Sequence, residues 1–172
     1  MLNNKLQDAL NAQINAELTA FYTYLSMAAF FEAENLPGFA RWMHNHAQEE
    51  MAHAMKIYDF INERNGRVVL VTIESPSTEW SSPLAAFEDA FQHEVKVTGL
   101  INQLVDLSIQ ESDHATNSFL KWFVDEQVEE EALVDAAIQD LKRIGDFGPG
   151  IVQLDRELAT KAGSTNQTEP TQ

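Results

Sequence analysis

The stretch EEMAHAMKIYDF, Glu49 to Phe60, repeats its apolar residues at helical spacing, yet it places a carboxylate and an imidazole on the apolar face. Glu50 and His53 lie one helical turn apart, so they share that face. An ionised carboxylate in a dry core costs several kcal/mol unless a partner compensates it or its pKa shifts. The stretch therefore predicts a buried helix with a polar site in its core.

Turn signals separate four long helical segments, and their order predicts an all-α fold. The segments run from Asn4 to about Glu34, from Pro37 to about Asn65, from Pro83 to about Glu111, and from the cap at Asp113 to about Ile144. The extended link Gly66 to Pro83 is too long for a simple hairpin, and it is typical of a four-helix bundle with a crossover connection. Pro149 to about Lys161 predicts a short fifth helix. We assign residues 1–163 to one domain and expect the polar tail 164–172 to be disordered.

Polar residues fall inside all four apolar stripes when the helices are drawn at about 100° per residue. These residues are Glu17 and Tyr24 in the first helix, His46, Glu50 and His53 in the second, Glu94 in the third, and Gln127 and Glu130 in the fourth. The third stripe itself is defined by Phe87, Phe91, Val95, Ile101 and Val105. Four uncompensated core carboxylates would unfold a typical domain. Because Lys and Arg are few and lie off the stripes, we expect a bound cation to compensate them.

The polar residues also repeat between the two halves of the chain. Thirty-three positions separate Glu17 from Glu50, and the same number separates Glu94 from Gln127. An offset of 77 positions relates the halves, pairing Glu17 with Glu94, Glu50 with Gln127, and His53 with Glu130. Two matching halves can surround one central site, so the repeat predicts that these side chains meet.

The residue types indicate which cation the site would take. Oxygen ligands with one imidazole suit Fe, Mn or Zn rather than a soft metal. Two divalent cations would neutralise four carboxylates. The sequence Glu50-x-x-His53, set among a stripe glutamate on each of two other helices, follows the ligand layout known from ferritin-like di-iron and di-manganese bundles.

Composition excludes several other classes of protein. The net charge is −16 and the sequence pI is about 4.5, whereas a nucleic-acid-binding chain is normally basic. The absence of cysteine excludes disulfide scaffolds, thiolate metal sites and iron–sulfur clusters. The sequence shows neither a signal peptide nor an apolar run long enough for a bilayer, so we expect a cytoplasmic protein without a membrane partner.

From Met1 to about Lys161 the sequence resembles the bacterial non-haem ferritins. The resemblance rests on NAELTAFYTYL (15–25), HAQEEMAH (46–53), HE (93–94) and WFVDEQVEEE (122–131). It implies a hollow shell of twenty-four identical subunits that oxidises Fe(II) with dioxygen and stores the ferric mineral inside. It also implies that the fifth helix lies at the four-fold contacts of that shell.

The resemblance further implies roles for individual residues. Glu17, Glu50 and His53 would hold the first iron. The second iron would be held by Glu50, as the bridging ligand, together with Glu94, Gln127 and Glu130. Because the amide of Gln127 is neutral, we expect the second iron to bind more weakly than the first. Tyr24 would stand beside the pair, either as an electron donor or as a packed core tyrosine whose hydroxyl is hydrogen-bonded.

A third iron site is implied by Glu49, Glu126 and Glu129, acting with Glu130. The alternative is that these residues form a solvated acidic face. His46 is not assigned to any site. We expect no haem, because Gln127-Val128-Glu129-Glu130 lacks the histidine that bacterioferritins place there, and because Met51 at helical spacing is typical of packing.

Two other functions remain open at the level of sequence. One is a different di-metal carboxylate enzyme, such as an oxygenase or a manganese catalase. The other is a non-catalytic helical bundle that assembles or binds partners. The second alternative requires that replacing Glu50 be harmless or stabilising, since the change removes a buried charge.

Overall fold

Five helices build the part of the chain that the computed structural model describes, residues 2–161. They are α1 (Asn4–Ala33), α2 (Pro37–Glu63), α3 (Pro83–Gln110), α4 (His114–Ile144) and α5 (Gly148–Lys161). Short turns make α1 antiparallel to α2 and α3 antiparallel to α4. The extended segment 64–82 crosses over between the two pairs. The predicted all-α bundle with a crossover and a short fifth helix is confirmed. The domain boundary at 163 and the tail 164–172 lie outside the described residues.

Side-chain caps fix where the helices begin. The side chain of Asn3 accepts a hydrogen bond from the backbone N–H of Lys5, and Ser82 and Asp113 cap α3 and α4 in the same way. Each cap satisfies a backbone donor that the first helical turn leaves without a partner. The predicted caps at Ser82 and Asp113 are confirmed, and the predicted helix ends are correct to within two residues.

The start of α2 is capped by a residue from α5. Leu36 precedes α2 and has no side-chain acceptor, but Asp155 Oδ1 accepts from the backbone N–H groups of Gly38 at 2.7 Å and Phe39 at 2.9 Å. A Cβ on Gly38 would lie 1.7 Å from the carbonyl oxygen of Asp155. Only glycine at position 38 therefore allows α5 to approach α2 this closely.

The core consists of two apolar clusters at opposite ends of the bundle. One contains Phe31, Phe39 and Phe87 near α5, and the other contains Leu6, Ile61 and other aliphatic side chains at the far end. The layer between the clusters holds Glu17, Glu50, His53, Glu94, Gln127 and Glu130, because these positions follow residues of one cluster and precede residues of the other along each long helix. Tyr24 belongs to the first cluster, and His46 lies between two members of that cluster on α2.

The prediction for the apolar stripe of α3 is wrong at Val95, which is 44% exposed. The buried face of α3 instead passes through Glu94, Val97, Ile101 and Leu104. These residues recur every three or four positions, as one helical face requires, whereas Val95 lies about 100° round the helix from Glu94.

None of the helices within residues 2–161 combines the length with the apolar character that a bilayer-spanning helix needs.

We expect Asp155→Ala to lower the free energy of unfolding by about 1 kcal/mol, the usual cost of losing a helix N-cap. Two backbone donors at the start of α2 would lose their acceptor, and α5 would lose its polar anchor. Chemical unfolding followed by circular dichroism measures the change. Asp155→Asn is the matched control, because its amide oxygen can still accept both bonds. Equal losses in the two variants would contradict the capping role.

Candidate metal centre

Three predicted ligands from two helices meet in the polar layer. Glu17 comes from α1, and Glu50 and His53 come from α2; their nearest ligand atoms all lie within 4.8 Å of one another. His53 Nδ1 lies 3.5 Å from Glu50 Oε2. All three side chains are buried, with residue exposures of 1–4%. Glu50 and His53 thus lie on the same buried face of α2, as their helical spacing predicted.

Two carboxylate oxygens in this group have no hydrogen-bond donor. Glu17 Oε1 accepts from Gln13 Nε2 at 2.9 Å. Glu17 Oε2 and Glu50 Oε2 are buried and find no donor among the residues that the structure describes. Buried polar atoms are normally paired, so such orphaned oxygens point to a ligand. A cation fits them, because both atoms are electron-pair donors. Sequence analysis missed Gln13, although it lies one turn before Glu17.

Glu94 is held differently from the other carboxylates. Tyr24 Oη donates to Glu94 Oε1 at 2.5 Å, and Gln127 Nε2 donates to Glu94 Oε2 at 3.2 Å. Side chains from α1 and α4 therefore fix both oxygens of a carboxylate on α3. The hydroxyl of Tyr24 is satisfied within the protein, as the packed-tyrosine alternative requires.

A second group lies next to the first, on the side of α2 and α4. Ligand atoms of His46, Glu49 and Glu130 lie within 4.8 Å of one another. His46 Nε2 is 3.5 Å from Glu130 Oε2, and His46 Nδ1 is 3.9 Å from Glu49 Oε2. Glu126 is half-buried and Glu129 is exposed, and neither belongs to this group. The sequence analysis placed His46 in the stripe of the second helix, one turn before Glu50, but did not assign it to a site.

The hydrogen bonding of His46 determines which ring nitrogen is free. Nδ1 lies 3.0 Å from the backbone carbonyl oxygen of Trp42, which can only accept, so Nδ1 carries the proton. Burial lowers the pKa of His46 to about 4, so the ring is neutral and its contact with Glu130 is not an ion pair. Nε2 then presents a lone pair towards Glu130, and it has no donor within the described residues.

Burial dominates the electrostatics of the centre. It raises the pKa values of Glu17 and Glu50 well above the usual range, and neighbouring carboxylates raise them further. Burial and the charge of Glu94 raise the pKa of Glu130 to about 9. Among the side chains that the structure describes, no Lys or Arg is buried. The metal-free centre therefore retains protons at neutral pH, and a cation would replace them.

The fold and this centre define a class of protein: a four-helix bundle whose buried carboxylates and histidines could hold metal ions. The ferritin-like domain family model matches residues 7–144, and the chain belongs to that family. The bacterial non-heme ferritin of Staphylococcus saprophyticus is 44% identical over 162 residues, covering 94% of this chain and 97% of the relative. The bacterial non-heme ferritin of Bacteroides fragilis is also 44% identical, covering 94% of this chain and all of the relative.

Solved structures agree with the sequence relatives. An open pore ferritin from the hyperthermophilic archaeon Archaeoglobus fulgidus superposes with a TM-score of 0.92 at 49% identity, covering 92% of this chain and 98% of that one. A closed form of the same ferritin, engineered by site-directed mutagenesis, gives a TM-score of 0.91 at 49% identity. The resemblance to the bacterial non-haem ferritins, which the sequence suggested, is confirmed.

The raised pKa of Glu130 predicts a pH-dependent stability for the metal-free protein. A carboxyl whose folded-state pKa is raised from 4.5 to about 9 destabilises the fold progressively as pH rises through that window. We compare the unfolding free energy of Glu130→Gln with that of wild type. We expect the difference in favour of the variant to grow by about 1–3 kcal/mol from pH 5.5 to pH 8.

Urea unfolding of the metal-free proteins at the two pH values measures this gain. Asp125→Asn, on the exposed side of the same helix, is the matched control and should not show it. A pH-independent difference between Glu130→Gln and wild type would show that Glu130 is already ionised at low pH.

Proposed function

We propose that this chain oxidises Fe(II) with dioxygen at the buried carboxylate centre and stores the ferric product inside a shell of twenty-four subunits in the cytoplasm. The observation that supports the proposal most directly is the set of buried carboxylate oxygens without donors, at Glu17, Glu50 and Glu130. Because no Lys or Arg is buried within the described part of the chain, these atoms are suited to binding a cation rather than to stabilising the fold.

Fe(II) is the substrate that the centre binds. In this proposal Glu17, Glu50 and His53 hold the first iron. Glu50, Glu94 and Glu130 hold the second, together with the amide oxygen of Gln127. Glu50 belongs to both sets. Its Oε2 has no hydrogen-bond partner, and Glu94 is close enough to raise the pKa of Glu50, and both observations support a bridging role. A shared carboxylate holds two metal ions roughly 3.5–4 Å apart. Because the carboxyls are protonated when metal-free, binding releases protons.

The buried carboxylates and the apolar clusters then favour electron transfer from iron to dioxygen. The carboxylates balance the positive charge of the oxidised iron pair, and the clusters exclude water. Two Fe(II) ions supply two electrons, which reduce one dioxygen molecule to the level of hydrogen peroxide. Anionic ligands stabilise Fe(III) more than Fe(II), so the buried carboxylates lower the free energy of the oxidised pair. The apolar clusters on both sides keep the layer dry. Tyr24 holds Glu94 through its hydroxyl, which is the role that its 2.5 Å hydrogen bond supports.

Gln127 explains why the second iron should be the weaker bound. Its Nε2 donates to Glu94, so only its Oε1 is left to bind iron, and a neutral amide oxygen is a weaker ligand than a carboxylate. The second position therefore has one charged ligand fewer than a layout with a carboxylate at 127. The different affinity of the two irons stays a prediction, and a binding titration that finds equal affinities would contradict it.

His46, Glu49 and Glu130 form our candidate for the third iron site. The neutral imidazole directs its free Nε2 to Glu130, and Glu49 lies closer to the surface. Glu126 and Glu129, which the sequence resemblance added to this site, lie further out. Their charges still act on the group, because the pKa of Glu130 is raised by both of them. They are positioned to attract Fe(II) from the solvent side.

Rapid mixing of Fe(II)-loaded protein with dioxygen tests the oxidase proposal. We load the protein anaerobically and follow oxidation in wild type and Glu50→Ala. Wild type should show a fast phase that uses about two irons per chain, and Glu50→Ala should lose it, because both positions share Glu50. Identical slow oxidation in the two proteins would contradict the oxidase proposal and leave a non-catalytic helical bundle or a manganese enzyme as the alternatives. In the same experiment, His46→Ala should keep the fast phase and lose any additional iron that the wild type binds.

The mass of the assembly distinguishes the proposed ferritin from other di-metal enzymes. We expect gel filtration with light scattering to give about twenty-four times the chain mass of 19.4 kDa. Oxygenases and manganese catalases do not form such a shell. A monomer or small oligomer with the same fast oxidation would support those enzymes instead.

A further inference from the structure

Gln127 is surrounded by hydrogen-bond acceptors on α3. Its Nε2 lies 3.2 Å from Glu94 Oε2, 3.4 Å from the backbone carbonyl oxygen of Glu94 and 3.4 Å from Thr98 Oγ1. All three distances join the amide nitrogen to an oxygen. The amide could in principle rotate by half a turn and present its own oxygen to the same atoms, so something must select the orientation in which nitrogen faces α3.

The backbone carbonyl oxygen of Glu94 can only accept and already favours nitrogen on this side, and a second pair, one helical turn away, reinforces that selection. Thr98 follows Glu94 by four residues on α3, and Glu131 follows Gln127 by four residues on α4. Thr98 Oγ1 donates to Glu131 Oε1 at 2.5 Å. A hydroxyl has only one hydrogen to donate. The hydrogen of Thr98 is thus committed to Glu131, and its oxygen offers Gln127 only lone pairs.

We propose that Thr98 and Glu131 are positioning residues that lock the Gln127 amide nitrogen onto Glu94 and thereby hold Glu94 in place for the second iron. A rotated amide would place its carbonyl oxygen against the backbone carbonyl oxygen of Glu94 and against Thr98 Oγ1, with no hydrogen between them, which is repulsive. The inference rests on the proposed function, because it assumes that Glu94 serves a metal position.

The alternative is that Thr98 only satisfies its own hydroxyl. Helical Thr side chains often bond to the carbonyl four residues earlier, as Thr19 and Thr23 do in α1. Thr98 shows no such bond to its own helix in the structure; its hydroxyl bonds Glu131 on the neighbouring helix, and its oxygen faces Gln127. Gln127 contacts Glu94 directly, and Glu131 is connected to Glu94 through Thr98 and Gln127. These contacts favour a role for Thr98 at the metal centre.

Binding of Co(II) to the metal-free, full-length protein tests the proposal without any turnover. Visible absorption reports the number and the coordination of bound Co(II) ions. We expect Thr98→Val, which keeps the shape and removes the hydroxyl, to weaken the second Co(II) equivalent about tenfold and to change its absorption, while the first equivalent is unchanged. Losses of about 10–100-fold are usual when the groups that orient metal ligands are removed.

Matched variants separate positioning from general loosening of the helix. Thr98→Ser restores the hydroxyl and should titrate like wild type. Thr23→Val removes a half-buried threonine hydroxyl that bonds only the carbonyl of Thr19, and it should also titrate like wild type. Equal weakening in Thr98→Val and Thr23→Val, or no weakening in Thr98→Val, would overturn the proposal.

Glu131→Gln provides a second variant that does not threaten folding, because Glu131 is only half-buried. A neutral amide at 131 can donate as well as accept, so the Thr98 hydroxyl is free to turn towards Gln127. We expect a smaller loss at the second equivalent than in Thr98→Val, and none in the charge-matched control Asp125→Asn. Equal titrations in Glu131→Gln and Asp125→Asn would remove Glu131 from the proposal.

Glu50→Ala distinguishes a failure of the proposed metal centre from a failure of the positioning role of Thr98 and Glu131. If wild type and Glu50→Ala bind Co(II) alike, the proposed metal centre itself is wrong and the pair has nothing to position. If Glu50→Ala abolishes binding while Thr98→Val matches wild type, the centre stands and only the role of Thr98 and Glu131 is overturned.

Discussion

The burial of several carboxylates in one layer, with no buried Lys or Arg among residues 2–160, is the constraint on which the rest of the structure depends. The polar layer raises the pKa values of Glu17, Glu50 and Glu130, because each charge is removed from water and faces other carboxylates. Such a layer opposes folding when it is ionised and metal-free. The two apolar clusters above and below it, together with capped helices, supply the stability that the layer itself lacks.

The carboxylates are not equivalent, and the difference has a structural cause. Both oxygens of Glu94 receive hydrogen bonds, from Tyr24 and Gln127, whereas Glu17, Glu50 and Glu130 each keep one oxygen without a donor. Hydrogen bonds to Glu94 lower its pKa, although burial still raises it overall. Glu94 is thus oriented by hydrogen bonds at both oxygens before any metal binds, while each of the other three keeps one oxygen that a cation could bind.

Glu130 connects the centre to the outer group of His46 and Glu49. Its pKa is raised by Glu94 on one side and by Glu49 on the other, so a cation bound in either group lowers the cost of ionising the carboxylate they share. The neutral ring of His46, stacked on Trp42 with ring centroids 3.6 Å apart, cannot rotate freely away from Glu130. An iron ion bound in one group would therefore change the affinity of the other group for iron, because both ions would interact with the shared carboxylate of Glu130.

Helix boundaries, the crossover and the ligand-bearing faces were predictable from sequence, because helical periodicity and capping act over a few residues. Glu50 and His53 share a face for that reason alone, and the comparisons confirm the family. Only tertiary structure decided that Asp155 caps α2 and that His46 joins Glu49 and Glu130. It also decided that the Gln127 amide nitrogen faces Glu94. These contacts join different helices or depend on rotamers, and no local spacing specifies either of them.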